Sequence, residues 1–104
     1  MDKKIKQDVS IGENLQRLRI NAGLSQEEVA AKMQLLGFPI SREMISQMES
    51  GKYSIRISVL LAMKKLYHAD SIDEFFKGLY DWYFEFYVIE GLPLEGNPSV
   101  FILL

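Results

Sequence analysis

The chain has 104 residues, of which 48% are hydrophobic and 25% are charged, so it has room for one globular domain with one core. It contains no cysteine and a single histidine, which excludes a disulfide framework and a thiolate metal site. The N-terminus is polar and lacks the apolar region of a signal peptide, and no run approaches the roughly 18 apolar residues of a membrane span. We therefore expect a cytoplasmic protein that does not enter a membrane.

The charge changes sign along the chain. Residues 1–68 carry eleven Lys and Arg against seven Asp and Glu, a net charge of +4, whereas residues 69–104 carry one Lys against seven acids, a net charge of -6. The overall charge of -2 does not exclude a nucleic-acid partner, because phosphate is attracted locally by a basic face. The alternative is that both surfaces are ordinarily solvated.

Apolar residues at helical spacing, between start and stop signals, predict four helices. They cover residues 11–22, 26–36, 42–50 and 57–68. Three serines have the spacing of a capping box, in which a hydroxyl and a carboxylate satisfy orphan amides: Ser10 with Glu13, Ser25 with Glu28, and Ser71 with Glu74. The last box predicts a fifth helix, while Pro39 forces a turn before a helix capped by Ser41. The sequence thus predicts an all-α fold, a compact bundle of five short helices.

Residues 79–104 form a hydrophobic extension of different composition. Six aromatic side chains cluster in it: Tyr80, Trp82, Tyr83, Phe84, Phe86 and Tyr87. The runs at 83–89 and 100–104 favour β-strands, although the fifth helix continuing into the 80s is an alternative. Because this apolar surface exceeds what five short helices cover by themselves, we expect this extension to form a dimer interface through these aromatics. The alternative is that it folds back onto its own bundle.

The predicted third helix displays polar side chains opposite Ile45 and Met48, which face inward. The displayed residues are Arg42, Glu43, Ser46 and Gln47. Side chains at such positions near a helix N-terminus face base edges together in the major groove, where Arg pairs with guanine, Gln with adenine and Glu with cytosine. The alternative is the solvated face of an ordinary helix.

Three linked motifs strengthen the DNA-binding interpretation, namely LQRLR at 15–19, AGLSQEEVA at 22–30 and ISQMESGK at 45–52. With them, residues 11–78 resemble the Cro and lambda-repressor type of helix-turn-helix family. The resemblance implies that Gln26 and Lys52 contact phosphates, and it supports base contacts from the third helix. It also implies a structural pair between Arg19 and Glu49.

The chain departs from the family pattern in three places. The turn at 36–40 is about three residues longer than usual, which would displace the third helix relative to the second. Residues 53–56 stand where the family commonly has a basic loop containing proline, and Arg56 is our candidate for the replacement phosphate contact. The extension at 79–104 has no counterpart in the family.

Together these features predict a transcriptional regulator, in particular a repressor, that binds a palindromic operator in double-stranded DNA as a homodimer. The alternative is an antitoxin or other protein-interaction module whose C-terminal segment binds a partner protein. Residues 1–10 form a basic arm with Lys3, Lys4 and Lys6, which we expect to be a solvated tail in preference to an arm that enters a groove. No catalytic set emerges, so we expect no enzyme activity, no cofactor and no metal site.

Overall fold

A computed structural model describes residues 4–5 and 7–79 of the chain. The elements in that part are β1 (Lys4–Ile5), α1 (Gly12–Asn21), α2 (Gln26–Leu35), α3 (Arg42–Glu49), β2 (Ile55–Arg56), α4 (Ile57–Leu66) and a 3₁₀ helix (Ile72–Phe76). The described part is mainly helical, as the sequence predicts. The aromatic residues predicted to form a dimer interface, from Tyr80 to Tyr87, lie outside the described residues.

One apolar core joins all the helices. Each helix contributes a side chain with 0% exposure to it: Leu15, Val29, Ile45, Val59 and Phe75. Burying an apolar side chain of this size stabilises the fold by about 1.5–3 kcal/mol relative to leaving it exposed. None of the helices among residues 4–5 and 7–79 has the length and apolar character needed to cross a membrane.

Two of the predicted helix starts have the expected caps. The hydroxyl of Ser25 accepts from the backbone N–H of Glu28 at 3.0 Å, and the Glu28 carboxylate accepts from the Ser25 N–H at 2.8 Å, which completes the capping box. At α3, the hydroxyl of Ser41 accepts from the N–H of Met44 at 3.1 Å. These caps fix the first turns of α2 and α3, the two helices that frame the candidate site.

The capping box predicted at Ser10 does not form. Helix α1 begins after Ile11, and the Ser10 hydroxyl accepts instead from the backbone N–H of Gly12 at 3.0 Å. Ser10 also lies against Gly51, at the end of α3, so its position is determined by packing between two parts of the chain. A tertiary contact has overridden the local capping pattern.

The predicted fifth α-helix is instead a five-residue 3₁₀ helix, and Ser71 makes no side-chain cap there. The amide of Asn14, which is 5% exposed on α1, donates to the carbonyl oxygens of Phe75 at 2.9 Å and Lys77 at 3.0 Å. These carbonyls are therefore used by a side chain of another helix rather than by a following helical turn. Gly78, with φ of 84°, then turns the backbone away from the helical path.

Part of the N-terminal segment is ordered against the domain, which corrects the expectation of a solvated tail. Strand β1 pairs antiparallel with β2, so that Lys4 lies opposite Arg56 and Ile5 opposite Ile55. The described part of the fold is thus a helical bundle with one short two-stranded ribbon. This ribbon follows closely after the C-terminus of α3.

Candidate nucleic-acid interface

The longer turn between α2 and α3 is held at both of its ends. Gly37 adopts a φ of 93°, and the N–H of Phe38 donates to the carbonyl of Met33 at 2.9 Å, which closes the end of α2. The side-chain amide of Gln34 then donates to the carbonyl of Ile40 at 2.9 Å, and Ile40 is 3% exposed. The extra residues therefore form an anchored turn, which gives α3 a defined position beside α2.

Helix α3 separates its side chains into a buried and an exposed face. Ile45 and Met48 are 0% and 2% exposed and belong to the core. The four residues predicted to face bases are all solvent-exposed, namely Arg42, Glu43, Ser46 and Gln47. The structure thus brings these four side chains onto the accessible surface of one eight-residue helix.

The first two helical positions of α3 are Arg42 and Glu43, directly after the Ser41 cap. Ser46 and Gln47 follow one turn later, so each has a neighbour four residues earlier on the same face. Glu43 also carries negative charge at a helix N-terminus, where the helix dipole favours it. The exposed row therefore offers a cation, a carboxylate, a hydroxyl and an amide to a partner.

The end of α3 fixes Lys52 relative to Gln47. Gly51 takes a φ of 80°, and the backbone N–H of Lys52 donates to the carbonyl of Gln47 at 3.1 Å. This bond is part of a Schellman-type helix end, which places the exposed Lys52 immediately beyond the last turn. The backbone at Lys52, whose side chain is suited to phosphate, is therefore fixed relative to the helix that carries Gln47, whose side chain is suited to base edges.

Arg19 and Glu49 form a buried ion pair that joins α1 to α3. The Arg19 Nε lies 2.6 Å from one carboxylate oxygen of Glu49, a terminal guanidinium nitrogen donates to the other at 3.1 Å, and the side chains are 10% and 5% exposed. Another guanidinium nitrogen of Arg19 donates to the carbonyl of Leu24 at 2.9 Å. The hydrogen bond to the carboxylate raises the pKa of Arg19 above its ordinary value, so the guanidinium remains charged.

Gln26 extends this pair to α2. Its amide nitrogen donates to a carboxylate oxygen of Glu49 at 3.0 Å, so the residue predicted to contact phosphate also helps to satisfy the buried carboxylate. Glu49 consequently connects all three helices that frame the site. Because an amide nitrogen carries two hydrogens, this bond leaves the second N–H of Gln26 and its oxygen available to a ligand.

Tyr67 is a further polar group near the ion pair. It is 4% exposed, and its hydroxyl has no hydrogen-bond partner among the residues that the structure describes. Burial is the main cause that raises the pKa of Tyr67 well above its ordinary value, and the negative charge of Glu49 adds to the shift. Tyr67 is therefore a neutral core residue and offers no charge to a ligand.

Sequence reasoning missed two polar residues that hold the framework together. Asn14 occupies a position between Ile11 and Leu18 at helical spacing, and this polar residue on an apolar face was a usable signal. Gln7, which joins the N-terminal segment to the end of α3, had no such signal because the carbonyls to which it donates, those of Met48 and Tyr53, are more than 40 residues away. Across the described residues, no group of three or more His, Asp or Glu side chains could hold a metal ion.

Comparison with known proteins agrees with this geometry. A family model described as a helix-turn-helix domain matches residues 10–75. The matched region contains the four α-helices and all seven residues predicted to contact DNA. No curated protein and no solved structure shows significant similarity to the chain.

Proposed function

Because the chain belongs to the helix-turn-helix domain family, we propose that it is a transcriptional regulator that binds specific sequences in double-stranded DNA through α3. The observation that carries the proposal is the exposed polar row on α3, which stands opposite the buried Ile45 and Met48. A helix of this kind fits the major groove, and the groove presents a distinct donor and acceptor pattern for each base pair.

The side chains of α3 divide between the base types by their hydrogen-bonding groups. Arg42 is suited to guanine, Gln47 to adenine and Glu43 to cytosine, whereas Ser46 can serve either a donor or an acceptor. Glu43 also acts against wrong sequences, because it repels acceptor groups and phosphates that approach it. Specificity in this proposal therefore comes from four neighbouring side chains on two turns of one helix.

Phosphate contacts come from residues around α3. Lys52 and Arg56 are exposed cations that follow the helix, and Gln26 offers its free amide N–H at the start of α2. These residues belong to the part of the chain with a net charge of +4, while the acidic residues 69–104 are proposed to face away from the duplex. This division explains how a chain with a net charge of -2 binds a polyanion.

We further propose that the protein is a repressor that binds a palindromic operator as a homodimer. A domain that occupies a promoter blocks other proteins by exclusion, so repression needs no surface beyond the DNA-binding face. Two such domains read half-sites about one helical turn, or 34–36 Å, apart, which requires a connection between protomers. We assign that connection to residues 79–104, whose aromatic cluster supplies apolar area for an interface.

Selection from a library of random duplexes tests the DNA-binding proposal directly. The purified protein is expected to enrich one short motif, and the dimer proposal adds that the motif is an inverted repeat. Enrichment of no sequence above the starting library, at a salt concentration where the protein still binds duplexes, would contradict specific recognition. Enrichment of a single half-site would contradict the dimer alone.

A chain that ends at Gly78 tests the proposed dimer interface. It is expected to be helical by circular dichroism and monomeric in sedimentation. It should also bind DNA that carries a complete inverted repeat much more weakly than the full chain does. A shortened chain that still sediments as a dimer would overturn the assignment. An unfolded one would support the alternative in which residues 79–104 cover their own bundle.

A further inference from the structure

Helix α4 carries an apolar patch that the described residues leave uncovered. Its buried side, formed by Val59, Leu60 and Met63, packs into the core. Ile57 and Leu61 lie one turn apart on another side of the helix, and they are 51% and 56% exposed. Single exposed aliphatic side chains are ordinary, whereas neighbouring ones that form a patch mark an interaction surface.

Two lysines continue this side of the helix toward its C-terminal end. Lys64 and Lys65 lie three and four residues after Leu61, so both stand one turn further along the same side. Helix α4 contains no acidic residue, and neither lysine forms an ion pair with any residue that the structure describes. We call Ile57, Leu61, Lys64 and Lys65 the α4 face, which combines uncovered aliphatic surface with uncompensated positive charge.

The extension at 79–104 has a composition complementary to the α4 face. It contains four acids and no Lys or Arg, and two of the acids, Asp81 and Glu85, lie within the aromatic cluster. A surface that binds this segment must therefore accept both aromatic rings and carboxylates. The exposed Leu35 at the end of α2 is a less suitable site, because α2 carries two acids and one lysine.

The start of the extension is fixed on α1, and this favours docking on a second copy of the chain. The amide of Asn14 binds the carbonyls of Phe75 and Lys77, and Leu79 packs against the core. Tyr80 follows directly, so no spacer lets the aromatic cluster first run around its own bundle. In a dimer with two-fold symmetry, each extension meets the α4 face of the other protomer, so the contact occurs twice and the assembly closes.

We propose that the aromatic extension of each protomer docks on the α4 face of its partner. The aromatic rings cover Ile57 and Leu61, and the carboxylates of the extension pair with Lys64 and Lys65. The inference rests on the proposed homodimer, for which it names the surface that receives the extension. Opposite charges also fix which part of the extension meets the helix, because a shifted contact would lose them.

Two charge-reversal variants of the full chain test the docking by sedimentation. The first variant, Lys64→Glu with Lys65→Glu, makes the α4 face acidic. The second variant, Asp81→Lys with Glu85→Lys, makes the extension basic. Each variant alone places like charges together at both contacts of the dimer, so each is expected to weaken dimerisation at least about tenfold. An equimolar mixture has opposite charges at both contacts, so a heterodimer is expected at concentrations where each variant alone is monomeric.

The mixture distinguishes docking on a partner from docking within one chain. Mixing changes no contact inside a chain, so an extension that covers its own α4 face would give no heterodimer. Absence of a heterodimer would therefore overturn the proposal. A first variant that dimerises as strongly as the unaltered protein would also overturn it, and would favour direct pairing between the two extensions.

A leucine substitution tests the apolar part of the docking. Leu61→Gln is expected to weaken dimerisation about tenfold, because the lost apolar contact occurs twice in each dimer. Leu35→Gln is the matched control, since Leu35 is an 87% exposed leucine on α2 and should leave dimerisation unchanged. Equal effects of the two substitutions would contradict docking on α4. Circular dichroism shows whether each variant keeps the helical bundle.

Failure of the docking can be told apart from failure of the proposed function. An unaltered protein that stays monomeric at every concentration would overturn the homodimer and the docking together. A stable dimer that ignores every change on the α4 face would overturn the docking alone. Neither result bears on sequence-specific DNA binding, which the selection from random duplexes measures separately.

Discussion

The backbone of Glu49 lies so close to Gly12 that a methyl group on Gly12 would overlap the Glu49 carbonyl oxygen and lie 2.6 Å from its carbonyl carbon. The first residue of α1 therefore touches the last residue of α3. Since a backbone atom cannot rotate away as a side chain does, this contact sets the distance between the two helices. It also explains why α1 begins with glycine, a poor helix former.

Gly12→Ala is expected to destabilise the fold by about 2 kcal/mol. The overlap of the added methyl group with the Glu49 backbone costs about 3 kcal/mol, and the higher helix propensity of alanine offsets about 1 kcal/mol of it. Denaturant unfolding measures this change. Gly23→Ala is the control, since its φ of 75° costs about 1 kcal/mol while an added methyl group meets no atom within 4 Å. A smaller loss for Gly12→Ala than for Gly23→Ala would contradict the close approach.

The ion pair of Arg19 and Glu49 predicts strong coupling between two substitutions. Arg19→Met leaves a 5% exposed carboxylate without its cation, so we expect a loss of about 3 kcal/mol in the free energy of unfolding. Glu49→Gln should be destabilising for the same reason, and the double variant should lose less than the sum of the two, by at least about 1 kcal/mol. Additive losses in a double-mutant cycle would show that the pair contributes little.

His68 offers a stabilising substitution. Its φ is 55°, in the left-handed region, and the next residue, Ala69, donates its N–H to the carbonyl of Lys64 at 3.1 Å. His68 thus occupies the helix-end position that favours glycine. His68→Gly is expected to raise the free energy of unfolding by about 0.5–1 kcal/mol. Glycine relieves the left-handed backbone strain of about 1–2 kcal/mol, which exceeds the conformational entropy that glycine loses on folding. Equal stability of His68→Gly and His68→Ala in thermal unfolding would refute this.

The capping box at α2 predicts a pH dependence. Hydrogen bonds from the backbone and side chain of Ser25 lower the pKa of Glu28 below its ordinary value of 4.5. Because the folded-state pKa is the lower one, this carboxylate stabilises the fold above about pH 4.5, and the stabilisation is lost as the pH falls through the folded-state value. Between pH 7 and pH 3, the midpoint of thermal unfolding should therefore fall less in Glu28→Gln than in the unaltered protein. Identical pH profiles of the two proteins would argue against a charged Glu28 in the box.

Local signals predicted most of the helical frame, because a cap depends on residues three positions apart. Ser25 and Ser41 cap their helices as expected, whereas Ser10 and Ser71 do not. For Ser10 the difference lies in a tertiary contact, since Ser10 packs against Gly51. The carbonyls that Asn14 binds, those of Phe75 and Lys77, lie at the C-terminal end of the 3₁₀ helix and bear on where that helix stops.

The candidate site shows the same division between local and distant contacts. The exposed row of α3 follows from the spacing of Ile45 and Met48, so the sequence alone located it. The bond from Gln26 to Glu49 and the pairing of Lys4 with Arg56 join residues far apart in the chain, and periodicity carries no information about them. The partnership of Arg19 with Glu49 was expected only from family resemblance.

In the proposed complex, Gln47 on α3 reads a base while Lys52, which follows the end of α3, binds the DNA backbone. We expect Gln47→Ala to weaken binding to the selected duplex by about 1–3 kcal/mol and to relax the base preference at one base pair per half-site. Lys52→Ala should weaken binding to all duplexes about equally, and it should reduce the slope of log affinity against log salt concentration by about 1.

The most direct measurement titrates both variants and the unaltered protein against the selected duplex and all of its single-base-pair variants. Gln47→Ala is expected to change the order of affinities at one base pair per half-site, while Lys52→Ala is expected to preserve the whole order. If Gln47→Ala left the order unchanged, α3 would not be the element that reads the sequence.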